Sequence, residues 1–247
     1  MDTYMKTTLE GNPQTVAELA ISHPGALAIF TKYNIDYCCG GHRSIDDACI
    51  RIGLDPEKIK AEILRSSERE TSEAIRPEKW SSALLIDYIV GNHHTYVKNA
   101  IPEVQAFLDK VCDAHGNDCS ELLQIRENFI ELSDELLSHM EKEELVLFPW
   151  IKNLEAENSE DKREISRLKG PIGAMEHEHV IAGDLVKEIR SLSKNYTPPD
   201  FACPTFRITY KKLNEFENDL MRHIHLENNI LFERMKDKTT AGGSCSL

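Results

Sequence analysis

An all-α fold is predicted for this chain of 247 residues. Apolar residues recur at alternating steps of three and four over long segments, the period of a helix seated on a core. The period-two alternation of a half-buried strand is hard to find. Glycine and proline number only 12 and 10, so few positions break a helix. The expected architecture is an up-down four-helix bundle over residues 80–237, preceded by a small helical domain over 14–65. A polar connector is expected at 66–79, with tails at 1–13 and 238–247.

The elements follow in chain order. Thr15 can cap a first helix, with Glu18 three positions on to complete a capping box. A second helix starts at Ser22–Pro24, and a third at Ser44-Ile45-Asp46-Asp47. The turn Cys38-Cys39-Gly40-Gly41 lies between these two. The stretch SSERETSEAIRPEK is polar and suits a linker. Four long helices follow at about 81–113, 120–152, 164–194 and 204–236. Their breaks are HGND, the charged stretch near 155–163, and NYTPPDFACP. The tail TTAGGSCSL is expected to be disordered, and its Cys245 is one place too late for a prenylation box.

Composition narrows the function. Hydrophobic content of 40% suits a globular chain that buries a real core. A net charge of −13 repels phosphate backbones and argues against nucleic acid as a partner. No apolar run approaches the roughly 20 residues that span a bilayer. The opening MDTYMKTTLEGNPQ lacks the basic-then-apolar order of a secretory signal. The chain is therefore read as cytoplasmic, without membrane contact. Seven cysteines, two of them adjacent, fit reduced thiols better than a disulfide framework.

The chemistry lies on the bundle seam. In the first helix the seam reads Val90, His94, Val97, Ile101, Val104, Leu108; in the second, Ile125, Phe129, Leu132, Leu136, His139, Glu143, Val146, Trp150. The third gives Ile172, Met175, His179, Ala182, Val186, Ile189, and the fourth Leu213, Phe216, Leu220, His223, Glu227, Ile230. Each helix thus turns one histidine inward, and two add a glutamate four residues later on the same face. A lone seam histidine is ordinarily a hydrogen-bonded core residue, and a lone His-x-x-x-Glu pair is often a solvated face. Six such residues on four seams, with no buried lysine or arginine to neutralise the carboxylates, require a bound cation. His94, His139, Glu143, His179, His223 and Glu227 are the candidate metal ligands.

The same register sets other residues aside. His93 is one position off, about 100° around the helix, and remains an alternative ligand. His177 and His225 also fall off the seam and are read as surface residues. Asp87 and Glu135 lie nearer the core side, where either could hydrogen-bond a ligating imidazole. Glu144 and Glu178 lie beside the seam, where that role and a surface role are equally open. The second and fourth helices resemble each other, HMEKEELVLFPWIK against HIHLENNILFERMK, and such a repeat supplies ligands in pairs. Six donors are too many for a tetrahedral zinc site and suit two irons or manganese ions bridged by the glutamates and a solvent oxygen.

In the N-terminal domain, Tyr37-Cys38-Cys39-Gly40-Gly41-His42 reads either as two core thiols or as an exposed dithiol that handles metal, electrons or nitric oxide. Cysteines 49, 112, 119, 203 and 245 show no metal-binding spacing and are read as structural.

The order YCCGG, then HH, then HMEKEELVLFP, MEHEH and HIHLENNILFER closely resembles the iron–sulfur cluster repair di-iron proteins, the repair-of-iron-centres (YtfE/ScdA) family. The resemblance covers roughly residues 14–236. It implies a hemerythrin-like bundle behind a ScdA-type N-terminal domain. It implies an oxo-bridged di-iron centre on the same six ligands, with Cys38 and Cys39 as the family's cysteine pair. Hemerythrins proper use five histidines, an aspartate and a glutamate, so the four-histidine set here weakens a plain oxygen-carrier reading. The implied function is repair of clusters damaged by nitric oxide or peroxide through donation of iron, with Cys38 and Cys39 as thiol-transfer groups. Damaged iron–sulfur proteins are the expected partners, nitric oxide or oxygen species the small ligands, and a homodimer the implied assembly. An iron donor is favoured over a conventional enzyme. The alternatives are a di-iron nitric oxide or peroxide reductase and a hemerythrin-like sensor or store.

Overall fold

The computed structural model describes residues 14–23, 25–67, 76–157 and 162–240. The expected tail 1–13, most of the connector 66–79, Pro24 at the second helix start and the stretch from 241, with Cys245, lie outside the described residues. The chain forms two compact units, Met1–Glu78 and Lys79–Leu247. Among the described residues the regular structure is helical, and no helix is long and apolar enough to cross a membrane.

The N-terminal unit holds α1 (Val16–Ser22), α2 (Ala26–Tyr33), α3 (Ile45–Arg51) and α4 (Pro56–Ser67). Thr15 and Glu18 form the reciprocal capping box: the Thr15 hydroxyl accepts from Glu18 N, and Glu18 Oε2 accepts from Thr15 N at 2.9 Å. The Ser44 hydroxyl accepts from Asp47 N and starts α3. The α4 helix was not separated in the sequence reading, although Asp55-Pro56 carries its start signal: Asp55 Oδ1 accepts from Glu57 N at 3.0 Å, with proline at the first helical position. Val16, Leu19, Phe30, Tyr37, Ile45, Cys49, Ile59 and Ile63 form the core, with Phe30 stacked on Tyr37. Val16 N and Ala17 N donate to the carbonyls of Arg43 and Gly41, strapping the glycine-containing loop to the start of α1.

In the second unit, α5 (Ser82–Tyr88) continues through a π-helical turn, Ile89–His94, into α6 (Thr95–His115). The α7 helix (Glu121–Lys142) continues through Glu143–Leu147 into α8 (Phe148–Ala156). The α9 helix (Lys162–Arg167) leads to α10 (Lys169–Leu192). The α11 helix (Pro204–Leu226) continues through Glu227–Phe232 into α12 (Glu233–Thr240). The α7 helix packs on α10, α6 on α11, and α6 on α7. Phe129 and Phe216 meet edge to face, ring centroids 5.2 Å apart, well inside the core.

The π turns explain where the seam departs from the sequence reading. A π turn bonds i to i+5 and so holds one residue more than an α turn. Downstream residues rotate by about one position, roughly 100°. Val146 is therefore 59% exposed and Trp150 half-buried, while Leu147, Phe148 and Ile151 take the core. In the first helix, Ile89 is buried where Val90 was expected. Removing Leu145 should turn Glu143–Leu147 into regular α-helix with Leu147, Phe148 and Ile151 still on the core face, so the fold survives. Removing Leu137, also exposed but within regular helix, should turn every later core residue outward and cost about 3 kcal/mol or more. Urea unfolding of the two metal-free deletions, with far-ultraviolet circular dichroism, measures the contrast.

Candidate metal centre

All six candidate ligands of the seam converge at mid-bundle. His94, His139, Glu143, His179, His223 and Glu227 are each no more than 2% exposed. His94 ends the first π turn, while Glu143 and Glu227 open the other two, so each interruption of regular helix falls at a candidate ligand. The donors fall into two sets that share both carboxylates: His94, His223, Glu143, Glu227, and His139, His179, Glu143, Glu227. Within each set the donor atoms lie within 4.8 Å of one another. In the first, His94 Nε2 is 3.1 Å from His223 Nε2, and His223 Nε2 is 2.8 Å from Glu227 Oε1. In the second, His139 Nε2 is 2.9 Å from His179 Nε2, which is 3.1 Å from Glu227 Oε2. Glu143 Oε2 lies 3.4 Å from both His94 Nε2 and His139 Nε2, between the two sets.

These residues fit a metal pair. Both Glu143 oxygens and Glu227 Oε2 are buried without a hydrogen bond; the His179 approach to Glu227 Oε2 is close but badly angled. Buried carboxylate oxygens in that state need a cation. The facing imidazole nitrogens in each set also leave lone pairs directed inward once Nδ1 carries the proton.

Most imidazoles are fixed from outside. His94 Nδ1 meets Glu144 Oε1 at 2.7 Å, and Lys98 holds the same oxygen at 2.7 Å. His139 Nδ1 meets Glu178 Oε2 at 2.8 Å, with Lys142 on the other oxygen at 2.6 Å. His179 Nδ1 meets Asn228 Oδ1 at 2.8 Å. His223 Nδ1 is buried and has no partner. Glu144 and Glu178, left open by the sequence, thus orient ligating rings. Asp87 and Glu135 do not: both are exposed, and Asp87 pairs with Lys152. The upstream register shift accounts for Asp87, which lies before the first π turn. His177 is exposed, as the seam required. His225 is only 2% exposed, against the surface reading, because residues 223–228 are buried without interruption; Asn229 bonds its Nδ1 at 2.8 Å. His93 is also buried, but its Nδ1 meets Asp219 Oδ1 at 3.0 Å and it belongs to neither donor set.

The charge balance follows from this packing. Burial drives His94 down, but the Glu143 and Glu227 carboxylates 3.4 and 3.6 Å from its Nε2 outweigh it and raise the imidazole to about 10. His139 is raised to about 9 in the same way, with the Glu143 charge as its main support. Burial and the neighbouring Glu227 charge push Glu143 up, yet the imidazoles of His139 and His94 bring it below its ordinary value. Glu227 is held well below the usual carboxylate range: His223, His179 and His94 overcome its burial. Without metal, protons on His94 and His139 take the place of cations, whereas burial pushes His223 below its ordinary value.

In the N-terminal unit, Asp36, Cys38 and Cys39 also bring donor atoms within 4.8 Å. The sulfurs are 3.5 Å apart, and Asp36 Oδ1 accepts from Cys39 N and Gly40 N at 3.1 and 3.0 Å. A Cβ on Gly40 would meet Asp36 O at 3.0 Å, so any larger residue would crowd the turn. The exposed-dithiol expectation is corrected: Cys38 is 3% exposed and Cys39 half-buried, because Cys38 packs into the small domain's core. Burial, reinforced by Cys39, pushes the Cys38 thiol well above its ordinary value.

Fold and donor sets together define a cation-binding helical bundle, and comparison with known families agrees. Residues 85–235 match the hemerythrin HHE cation binding domain, and residues 12–67 match ScdA_N, a domain of unknown function. The chain belongs to the family of the iron–sulfur cluster repair protein YtfE. It is 40% identical over 224 residues to that protein of Shigella boydii serotype 4, covering 90% of this chain and 96% of the relative. The YtfE proteins of Escherichia coli O8 and an Enterobacter species are 39% and 38% identical over the same lengths.

A pH prediction follows for the metal-free protein. His94 and His139 have folded values raised above their ordinary 6.5, so their contribution is complete below pH 6.5 and is lost as pH rises through about 9 to 10. Glu143 and Glu227 are lowered from 4.5, so their contribution holds above pH 4.5 and is lost below it. Urea midpoints of the metal-free protein should fall as pH rises from 6.5 towards 10 and fall again below pH 4.5, with His223, lowered by burial, working the other way and adding stability as pH approaches 6.5; the metal-loaded protein should vary far less over the upper range.

Proposed function

We propose that the protein holds two irons on His94, His139, Glu143, His179, His223 and Glu227 and gives up iron to rebuild damaged iron–sulfur clusters. The observation that carries this reading is the pair of four-donor sets sharing two buried, unsatisfied glutamates. Such a centre, when loaded, supplies ferrous iron that a thiolate-rich client can take over. The relatives' name, iron–sulfur cluster repair protein, supports the same use. The clients are proteins whose clusters have been damaged by nitric oxide or oxidants.

The chain's own residues set the terms of release. Each metal position has two imidazoles and a share in two carboxylates, and only the carboxylates bring negative charge. Protonation of His94 and His139 is favoured by those same glutamates, so two protons, one on each imidazole, can balance the two carboxylates once the cations have left. Cys38 and Cys39 are not needed to complete the bundle site. We assign them to receiving and passing on iron, the half-buried Cys39 as the sulfur that meets the metal first and the buried Cys38 beside it losing its proton only as metal binds, with residues 66–79 joining the two domains; thiolates are soft, exchangeable ligands suited to that step.

Glu143→Gln and Glu227→Gln should each weaken iron binding at least tenfold, since removing even an outer partner costs that much. Their metal-free forms should remain folded, because a buried charge has been removed. Iron content after equilibrium dialysis gives the answer, and wild-type content in both would exclude glutamate bridging. The function itself is tested by loading the protein with iron-57 and mixing it with an aconitase-type enzyme whose cluster has been nitrosylated. Isotope should enter the restored cluster one-for-one with returning activity. Cys38→Ser/Cys39→Ser should keep its iron but transfer it more slowly. Returning activity without isotope, or sustained nitric oxide turnover with the iron retained, would contradict the donor reading.

A further inference from the structure

Four imidazoles face the centre, and one differs from the others in how it is held. The Nδ1 atoms of His94, His139 and His179 are fixed by Glu144, Glu178 and Asn228 at 2.7 to 2.8 Å. Two of those partners are themselves held by Lys98 and Lys142. His223 Nδ1 is enclosed and meets no acceptor. Besides the tilted His94 ring at 4.8 Å, the His223 ring faces His93, stacked parallel at 5.8 Å with an 11° interplanar angle and tied by Nδ1 to Asp219 at 3.0 Å. Stacking fixes the plane of a ring but does not resist rotation within that plane, the motion that carries Nε2 away from a bound ion. A hydrogen bond at Nδ1 does resist it.

We infer that the two metal positions are unequal, and that the ion held by His94 and His223 leaves first, with His223 as the ligand that lets go. The inference rests on the di-iron reading and deepens it. Both positions share Glu143 and Glu227, so the carboxylates do not distinguish them. The second position has two externally fixed imidazoles, His139 and His179, and the first has only His94. An outer partner on a ligating histidine changes metal affinity by about 10- to 100-fold. A protein that donates iron thereby keeps one ion to hold the shared glutamates in place while the other departs. His223 and Glu227 lie one turn apart on the same helix, 2.8 Å from Nε2 to Oε1, so the freed imidazole still has a carboxylate to meet.

The test is iron release from the full-length protein, loaded with ferrous iron and kept without oxygen, into bipyridyl, followed by the colour of the ferrous complex. Two irons per chain should leave in two equal phases whose rates differ by about 10- to 100-fold. Glu144→Ala frees His94 and should accelerate the fast phase alone; Glu178→Ala frees His139 and should accelerate the slow phase by about the same factor. Both side chains lie at the partly exposed rim, so neither change threatens the core. His223→Ala, with its fold checked by circular dichroism, should retain one iron that leaves at the slow rate. A single release rate for both irons, or Glu178→Ala accelerating the fast phase instead, would overturn the inference. A wild-type protein that never holds two irons would fail earlier and would count against the di-iron reading itself.

Discussion

Two glutamates buried side by side constrain the rest of this molecule. Glu143 and Glu227 are fully enclosed, repel each other, and leave three of their four oxygens without a hydrogen bond. Desolvating even one carboxylate costs several kcal/mol unless positive charge comes close. The chain brings none from lysine or arginine; it brings four imidazoles whose nitrogens point at the same space. The lysines stay at the rim, where Lys98 and Lys142 neutralise Glu144 and Glu178. Those outer carboxylates in turn orient the imidazoles. Charge alternates outward from the centre, and each layer is explained by the one inside it.

Helix geometry had to yield to that arrangement. Three of the four long helices absorb one extra residue, at Ile89–His94, Glu143–Leu147 and Glu227–Phe232. The fourth, α10, supplies a single histidine and runs without interruption.

This division decides what the sequence could show. The six inward residues were legible because each ligand shares a register with several apolar neighbours on its own side of the π turn. Val90, Val146 and Trp150 were misplaced because they lie across a π turn, and no residue type announces an i+5 bond. Asp87 failed for the same reason, whereas Glu135 simply points to solvent within regular α7. His225 was misread because an amphipathic pattern assumes one solvated face, and this stretch of the helix has none. The roles of Glu144 and Glu178 depended on which neighbouring helix their carboxylates would meet, which a single helix's pattern does not contain. In the smaller domain, Thr15 and Glu18 declared a capping box correctly, while the burial of Cys38 depends on tertiary packing that its Gly-Gly turn does not reveal.

The central claim is that one cavity holds two metals bridged by Glu143 and Glu227. Iron K-edge X-ray absorption of the iron-loaded protein tests it most directly. The account predicts a nitrogen- and oxygen-rich first shell and a metal–metal vector of about 3.5 to 4 Å, both lost together in the Glu143→Gln/Glu227→Gln variant. A first shell with no metal–metal vector at full iron loading would contradict it.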